Sequence, residues 1–382
     1  MVQTQNENFF QSLHKEQWKE VRLGEVAEIN PLESIKKNTI AKKVSMDNLE
    51  PFNKKIYSFN VESFKSGSKF KNGDTLLARI TPCLENGKTA FVDFLENNEI
   101  AFGSTEFIVL RQKENISDKH FLYYLARSEN FRETAIKSMT GSSGRERVQI
   151  EVIRDYEFLL PPLKVQQQIA EILSSFDDKI DLLHRQNKTL ESLALTLFRH
   201  TFIDNPNRNE WEMGKLGDYV RIVYGKNLPT KNLLSQGYSV FGGNGKIGYF
   251  DKYLYKEPQV LVSCRGEASG KVNVSERKSF VTNNSLVLER TKDKDITFYY
   301  LKYYCLSSNF YIYVSGSAQP QITIEGLYQA SFLKPDFNTI NEFSKIVSDF
   351  ENKIENNQKQ IETLQSMRDM LLSKILNEKM EA

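Results

Sequence analysis

Residues 18–26 read Trp-Lys-Glu-Val-Arg-Leu-Gly-Glu-Val, and residues 211–219 read Trp-Glu-Met-Gly-Lys-Leu-Gly-Asp-Tyr. These hold the only two tryptophans of the chain, and the Trp…Leu-Gly frame recurs at an offset of 193. Further recurrences follow in order. Phe102 and Val109-Leu110 return as Phe280 and Val287-Leu288 at offset 178. Tyr123-Tyr124-Leu125 returns as Tyr299-Tyr300-Leu301 at 176, and Thr140-Gly141-Ser142 as Ser315-Gly316-Ser317 at 175. From Val148 onward the offset holds at 174: Val148, Ile150 and Glu151 match Ile322, Ile324 and Glu325, and Phe158-Leu159 and Pro161 match Phe332-Leu333 and Pro335. The chain is a tandem duplication of about 190 residues whose second copy has lost 19 residues from its middle. Similar ends around divergent middles imply one scaffold carrying two differently tuned surfaces.

Each copy ends in a heptad pattern. In the first, Ile169, Leu173, Phe176, Ile180, Leu183, Asn187, Leu190, Ala194 and Leu197 step by alternating four and three. In the second, Phe343, Val347, Phe350, Ile354, Asn357, Ile361, Leu364, Arg368 and Leu371 take the same steps. Pro161-Pro162 and Pro335 precede these segments, where proline suits a helix start. The pattern predicts two helices of roughly 37–40 residues, about 55–60 Å at about 1.5 Å per residue. Two separate core helices or a homodimeric coiled coil are the alternatives to pairing within the chain. A duplication favours a pseudo-twofold arrangement, so the pairing is expected to be antiparallel. The matching register sets Asn187 against Asn357, Leu183 against Ile361, Ala194 against Phe350 and Leu197 against Val347. It leaves one awkward layer, Phe176 against Arg368, where the arginine stem could lie along apolar surface with its head in water.

The two blocks between these helices mix short strands and helices, giving an α+β class. Strands are expected at 75–80, 106–110, 260–263 and 285–288, and helices over 120–138 and 299–306. The expected organisation is an N-terminal arm (1–17), a first block (18–162), a central long helix (163–203), a second block (204–337) and a C-terminal long helix (338–382). The tyrosines at 299, 300, 303 and 304 are expected in the core and on a helix face, not as a base-stacking ladder.

The chain has 382 residues, 40% hydrophobic and 26% charged, with no apolar run long enough for a membrane span. The first 17 residues hold no apolar stretch of signal-peptide length, which makes the cytoplasm the expected location. Three scattered cysteines and four histidines argue against a disulfide framework or a structural zinc site. Net charge is +2, but block 18–162 carries 22 Lys+Arg against 21 Asp+Glu, and block 204–337 carries 17 against 13. The positive excess sits in the blocks, which tilts toward an anionic partner.

Catalytic look-alikes dissolve on inspection. Gly243-Asn244-Gly245-Lys246-Ile247-Gly248 fits GxGxxG, but strand-like residues follow where a dinucleotide site needs a helix. Pro335-Asp336 with Glu351-Asn352-Lys353 resembles a nuclease pattern, but Glu351 and Lys353 fall on the predicted long helix. No catalytic set and no metal set is legible. Polar loops rich in Arg, Lys, Asn, Gln, Ser and Gly are legible, at 79–88 and 141–147 in the first copy and 242–248, 265–271 and 316–321 in the second. Such side chains read base edges and approach phosphates. The candidate DNA-binding residues are Arg79, Asn86, Lys88, Arg145 and Arg147, then Asn244, Lys246, Arg265, Lys271, Gln319 and Gln321.

Taken together, the chain resembles the specificity subunit (HsdS) of a type I restriction-modification enzyme. The resemblance covers nearly its whole length. It rests on the two Trp…Leu-Gly starts, FLYYL and TFYYL, GSSGRERV and GSAQPQIT, and the repetition of these. It also rests on Phe-Leu-Leu-Pro-Pro-Leu-x-x-Gln-Gln-x-Ile running into a long helix. The second copy departs with Leu-Lys-Pro-Asp, and with Asn341-Glu342 where the glutamine pair is expected. The resemblance implies two target recognition domains, each reading one half of a bipartite site on double-stranded DNA, spaced by an antiparallel coiled coil. It implies two methyltransferase subunits docked on the chain, restriction subunits beside them, and no catalysis here. S-adenosylmethionine, ATP and magnesium would then belong to those partners. The rival readings are a coiled-coil adaptor that binds protein only and a standalone DNA-modifying enzyme with degenerate motifs.

Overall fold

The computed structural model describes residues 13, 15–291, 295–316 and 319–377. The arm expected over 1–17 lies outside these apart from Leu13 and Lys15–Gln17, and Ser317 and Ala318 of the last polar loop lie outside them too. The chain gathers into two compact units, Met1–His184 with Gln358–Ala382, and Arg185–Asn357. The division differs from the expected five segments, because it falls inside the long helices. The helices Leu163–Phe198 and Phe337–Asn377, about 54 and 62 Å long at about 1.5 Å per residue, give one half each to either unit. The reason is packing: each half-helix buries an apolar stripe in its own block's core. The first helix continues into a π-helical turn, Arg199–Ile203, which buries Phe202.

In the first unit a ribbon of Lys19–Arg22 and Glu157–Leu160 ties the start of the block to its end. One antiparallel sheet runs in the order Ala27–Ile29, Phe107–Gln112, Thr75–Ala78, Thr89–Phe91. A second runs Asn60–Ser63, Ile40–Val44, Ala101–Gly103, Ser68–Phe70, with its middle pair parallel. The stretch 120–138, expected as one helix or two, forms two, Lys119–Arg127 and Glu129–Lys137, broken by extended backbone at Ser128. Asp118 caps the first by accepting from the amides of His120 and Phe121. Phe121, Tyr123 and Tyr124 from that helix pack with Ile169, Ala170, Leu173, Leu372 and Ile375. The early turns of one long helix thus meet the late turns of the other, so this half-pair is antiparallel.

The second unit repeats the plan. Its ribbon is Glu212–Lys215 with Ser331–Lys334, and its main sheet runs Val220–Tyr224, Ser285–Arg290, Val260–Ser263, Val272–Val274. The smaller sheet has three strands, Gly245–Phe250, Tyr238–Gly242 and Phe280–Val281. The helix Phe298–Ser307 buries Tyr300 and Tyr303, whose rings contact Phe198, Phe202 and Phe343 of the long helices. The repeated Leu-Gly has a shared cause. Leu23 and Leu216 are buried, and a Cβ on Gly24 or Gly217 would lie 2.5 Å from Arg154 or 1.8 Å from Tyr328, one pseudo-equivalent position in the short helices Ile150–Arg154 and Ile324–Tyr328.

The helix seam can be followed unit by unit. In the second unit Asn357 Nδ2 donates to Asn187 Oδ1 at 2.7 Å and to Gln186 at 2.9 Å. Ala194, Leu197, Val347 and Phe350 share that unit's main core, and Leu190 and Ile354 are half-buried. In the first unit Ile180, Leu183, Ile361 and Leu364 form one cluster, with Leu173 in the core beyond. The Phe176 layer differs from expectation. Arg368 does not reach water: only 2% of its side chain is exposed, and its guanidinium is paired with Asp177, itself 5% exposed. Tyr124 OH donates to the other oxygen of Asp177 at 2.6 Å, Arg127 and Arg368 share Asp369 at 3.0 and 2.9 Å, and Lys54 donates to Ser174 at 2.8 Å. A buried polar cluster stands where a solvent-seeking arginine was expected, because a carboxylate one residue from the seam is there to receive it. The glutamine position also needs correction. At offset 174 the counterpart of Gln166 is Ile340, one residue before Asn341, and both Gln166 and Ile340 are buried. Gln166 accepts from the amide of Asp118 and donates to the carbonyls of Ile116 and Pro161.

Candidate nucleic-acid interface

The polar loops 79–88 and 140–147 come together at one end of the first unit's main sheet. Arg79 follows the strand Thr75–Ala78, its amide donating to Glu106 O and its carbonyl accepting from Val148 N at 2.8 Å. Thr140 and Arg147 exchange backbone hydrogen bonds, and Arg147 also bridges to Ile80. The second unit wires its loops the same way. Cys264 donates to Asn284 O and accepts from Ile322 N at 3.1 Å, Ser315 and Gln321 exchange backbone bonds, and Gln321 bridges to Arg265. Strand 260–263, loop 265–271 and turn 315–321 thus rebuild the platform made by 75–78, 79–88 and 140–147. Backbone equivalence makes Arg147 the counterpart of Gln321, and Arg145 that of Gln319. One scaffold presents guanidinium groups in the first unit and carboxamides in the second.

The eleven loop residues fall into two groups. Asn86, Arg145, Asn244, Arg265, Lys271, Gln319 and Gln321 are exposed, and their side chains make no hydrogen bond or ion pair among the described residues. Four others are held internally. Arg79 is half-buried and donates to Val148 O, and Lys88 donates to Met46 O at 2.9 Å. Arg147 presents its fork to Glu106, with bonds of 2.7, 2.9 and 3.1 Å. Lys246 lies 3.4 Å from Glu276 and 4.6 Å from the centre of the Tyr249 ring. The hydrogen bonds from Arg147 hold the Glu106 carboxyl below its ordinary range, against the opposing effect of partial burial. No sequence signal marked Glu106, but its alignment with Asn284 at offset 178 shows that the second unit has no carboxylate there.

The look-alike motifs are resolved too. Gly243-Asn244 forms the tip of the hairpin between Tyr238–Gly242 and Gly245–Phe250, with no helix following. Asp336 accepts from the amide and hydroxyl of Thr339 at the start of the second long helix, and those bonds hold its carboxyl low. Glu351 takes the Lys302 ammonium and the Tyr303 hydroxyl, each at 2.5 Å. Among the described residues, no group of three His, Cys, Asp or Glu side chains could hold a metal ion, and no helix is long and apolar enough to cross a membrane.

A duplicated α+β block whose paired loops are mounted on one backbone frame, with a long helix after each copy, defines a two-headed recognition protein. The sequence model of the type I restriction modification DNA specificity domain matches residues 15–192 and 208–366, and the chain belongs to that family. The MjaIX specificity subunit of Methanocaldococcus jannaschii is 27% identical over 294 residues, 67% of this chain and 68% of that one. The EcoAI specificity subunit of Escherichia coli is 31% identical over 179 residues, 45% of this chain and 30% of that one. The crystal structure of the type I restriction-modification S subunit from M. genitalium matches 95% of this chain and 97% of its own, with a TM-score of 0.56 at 18% identity. As a member of this family the chain supplies DNA specificity and no catalysis.

Proposed function

We propose that each unit reads one half of an asymmetric, two-part site on double-stranded DNA, with Asn86 and Arg145 on the first platform and Asn244, Arg265, Lys271, Gln319 and Gln321 on the second. The observation that carries this is the shared backbone wiring of the two platforms with different side chains at matched positions. Arginine favours guanine O6 and N7, while glutamine and asparagine favour adenine N6 and N7. Substituting Arg145 for Gln319 on one frame therefore changes the bases read without changing the mount. Arg79, Lys88, Arg147 and Lys246 serve by shaping the loops and adding positive potential.

The paired long helices set the spacer between half-sites and provide the docking surface for two methyltransferase subunits. Restriction subunits complete the assembly. S-adenosylmethionine, ATP and magnesium serve those partners, and the assembly works in the cytoplasm.

The test is a pair of variants of the full chain in complex with its methyltransferase subunits, Asn86→Ala/Arg145→Ala and Arg265→Ala/Gln321→Ala, titrated with duplexes altered in one half-site at a time. Each well-made base contact is worth about 1–3 kcal/mol of discrimination. The first variant should lose discrimination in one half only, and the second in the other. Loss of both halves by either variant contradicts separate readers. Absence of any sequence-selective DNA binding by the unaltered complex favours a protein-only adaptor.

A further inference from the structure

The first unit carries a charge asymmetry that its modest net charge conceals. Residues 36–71 hold nine lysines and three carboxylates, while the rest of 18–162 holds 13 Lys+Arg against 18 Asp+Glu. Five of the nine lysines are engaged. Lys42 pairs with Glu99, Lys43 with Glu62, Lys71 with Glu33 and Lys55 with Asp93 and Asp181, and Lys54 is buried against Tyr124 and Ser174. Lys36, Lys37, Lys65 and Lys69 have no carboxylate partner among the described residues, and the first three are exposed. Lys69 lies 5.4 Å from the centre of the Phe64 ring.

The backbone brings these four together. Asn38 N donates to Phe64 O at 2.9 Å and Phe64 N to Thr39 O at 2.8 Å, so the Lys36–Thr39 turn is stitched beside Phe64 and Lys65. Gly67, at φ +138°, then lets the chain double back onto strand Ala101–Gly103, where a Cβ would lie 2.1 Å from Gly103 O. The result is that the Lys36–Thr39 turn meets the segment 64–67, which crosses from one edge strand of the second sheet, Asn60–Ser63, to the other, Ser68–Phe70. Beside them a groove of about 500 Å³ is lined by Lys43, Glu62, Ser63, Lys65, Ser66 and Phe102. Glu62 is the one carboxylate of this lining and is taken up by Lys43 at 2.8 Å. In the second unit the position of the strand that carries Lys69 is reduced to a single antiparallel bridge, Tyr255 with Ser279, and Leu254 stands in the place of Lys69. This is also where the second copy is shorter, the offset falling from 193 at Trp18 to 178 at Phe102.

We propose that this lysine tip is a phosphate-binding surface by which the first unit grips the DNA backbone without reading bases. The inference rests on the DNA-reading function proposed above. Lysine chemistry suits such a grip, since a compact charge on a flexible stem follows phosphates but lacks the planar fork that reads a guanine edge. The clustering where the 36–39 turn meets the segment 64–67, the removal of the nearby carboxylate by Lys43, and the exposed hydroxyls of Thr39 and Ser66 all suit a polyanionic backbone.

The test compares the unaltered full-length complex with Lys36→Gln/Lys37→Gln/Lys65→Gln, using a cognate and an unrelated 30-base-pair duplex across a salt series. Each lost phosphate contact lowers the slope of log affinity against log salt by about 0.9. Three lost contacts widen the affinity gap between the two proteins about 40-fold between 200 and 50 mM salt. The loss should be equal on both duplexes, leaving their affinity ratio unchanged, and the arginine triple variant at the same positions should restore the slope. A control that removes three exposed lysines elsewhere on the unit, Lys19→Gln/Lys119→Gln/Lys164→Gln, should leave the slope nearly unchanged. An unchanged slope in the tip variant overturns the proposal, as does an equal drop in the control or a fall in the affinity ratio. Failure of the unaltered complex to bind DNA at all would instead overturn the underlying function.

Discussion

Arg368 and Asp177 offer the sharpest perturbation of the helix pair in the first unit. Both are almost fully buried, and their side chains are directly paired. Burial opposes the charge on Arg368, but Asp177 and Asp369 outweigh it and raise its pKa above the ordinary arginine value. Burial and the Asp177 charge push Tyr124 well above its usual range, so its hydroxyl stays a donor to that carboxylate. Removing one member of such a pair leaves a buried charge uncompensated, which costs about 3–5 kcal/mol. Arg368→Met should fall near the lower end, because Tyr124 still donates to Asp177 and Arg127 lies 3.9 Å away. Asp177→Leu should fall higher, leaving Arg368 and Arg127 to share the half-exposed Asp369 alone. The double variant Asp177→Leu/Arg368→Met replaces the pair by apolar groups and should recover most of the loss, as buried pairs often do. The two-unit chain does not license a single unfolding free energy, so the assay is hydrogen exchange resolved by peptide. Amides over 169–184 and 361–376 should lose protection about a hundredfold in either single variant, from about 3 kcal/mol at about 1.4 kcal/mol per tenfold. Amides of Ser285–Arg290 in the other unit serve as the internal standard. A loss under threefold in both single variants would refute the claim that this pair is desolvated and coupled.

Three further outcomes are expected. Asn357→Leu strands the carboxamide of Asn187 in the seam and should destabilise the second unit by about 1–3 kcal/mol, whereas Asn187→Leu/Asn357→Leu should be nearly neutral; hydrogen exchange of peptides over 185–198 and 340–357 decides it. Burial and the Lys54 charge lower the pKa of His120 from 6.5 to about 4, so the unfolded chain takes up a proton there before the folded one does. Stability of the first unit should therefore fall as pH drops from about 6.5 toward 4, and His120→Gln should flatten that slope in a pH series of thermal melts. Inserting one heptad into each long helix, in step, adds about 10 Å to each and should lengthen the unread spacer by about three base pairs with both half-sites unchanged, as read from the sites methylated.

The repeat and the seam were legible in the sequence because both are periodic, and period survives without knowledge of partners. Asn187 and Asn357 are the sixth and fifth steps of two matching heptad series, and an antiparallel pairing with its pseudo-twofold axis between those steps sets them opposite one another. The polar cluster was not legible. Asp177 sits one residue from a seam position, and a hydrophobicity rule assigns that layer to Phe176, which is only half-buried. Its partner Arg368 lies 191 residues away, and nothing local joins them. The platform loops were legible as places but not as contacts. Whether an arginine is available depends on acceptors that only the fold brings near, and Glu106 reaches Arg147 from 41 residues away. The lysine tip was hidden by averaging, because the surplus within 36–71 is cancelled by the acidic remainder of its own block.

Above all, one chain should direct modification to two different half-sites at once. The most direct measurement is genome-wide adenine methylation in cells given this chain with a cognate methyltransferase subunit, against cells given the methyltransferase subunit alone. The expected result is a new, asymmetric, split motif with a fixed unread spacer that appears only when this chain is present. A palindromic motif, or no new motif although the complex has formed, would contradict it.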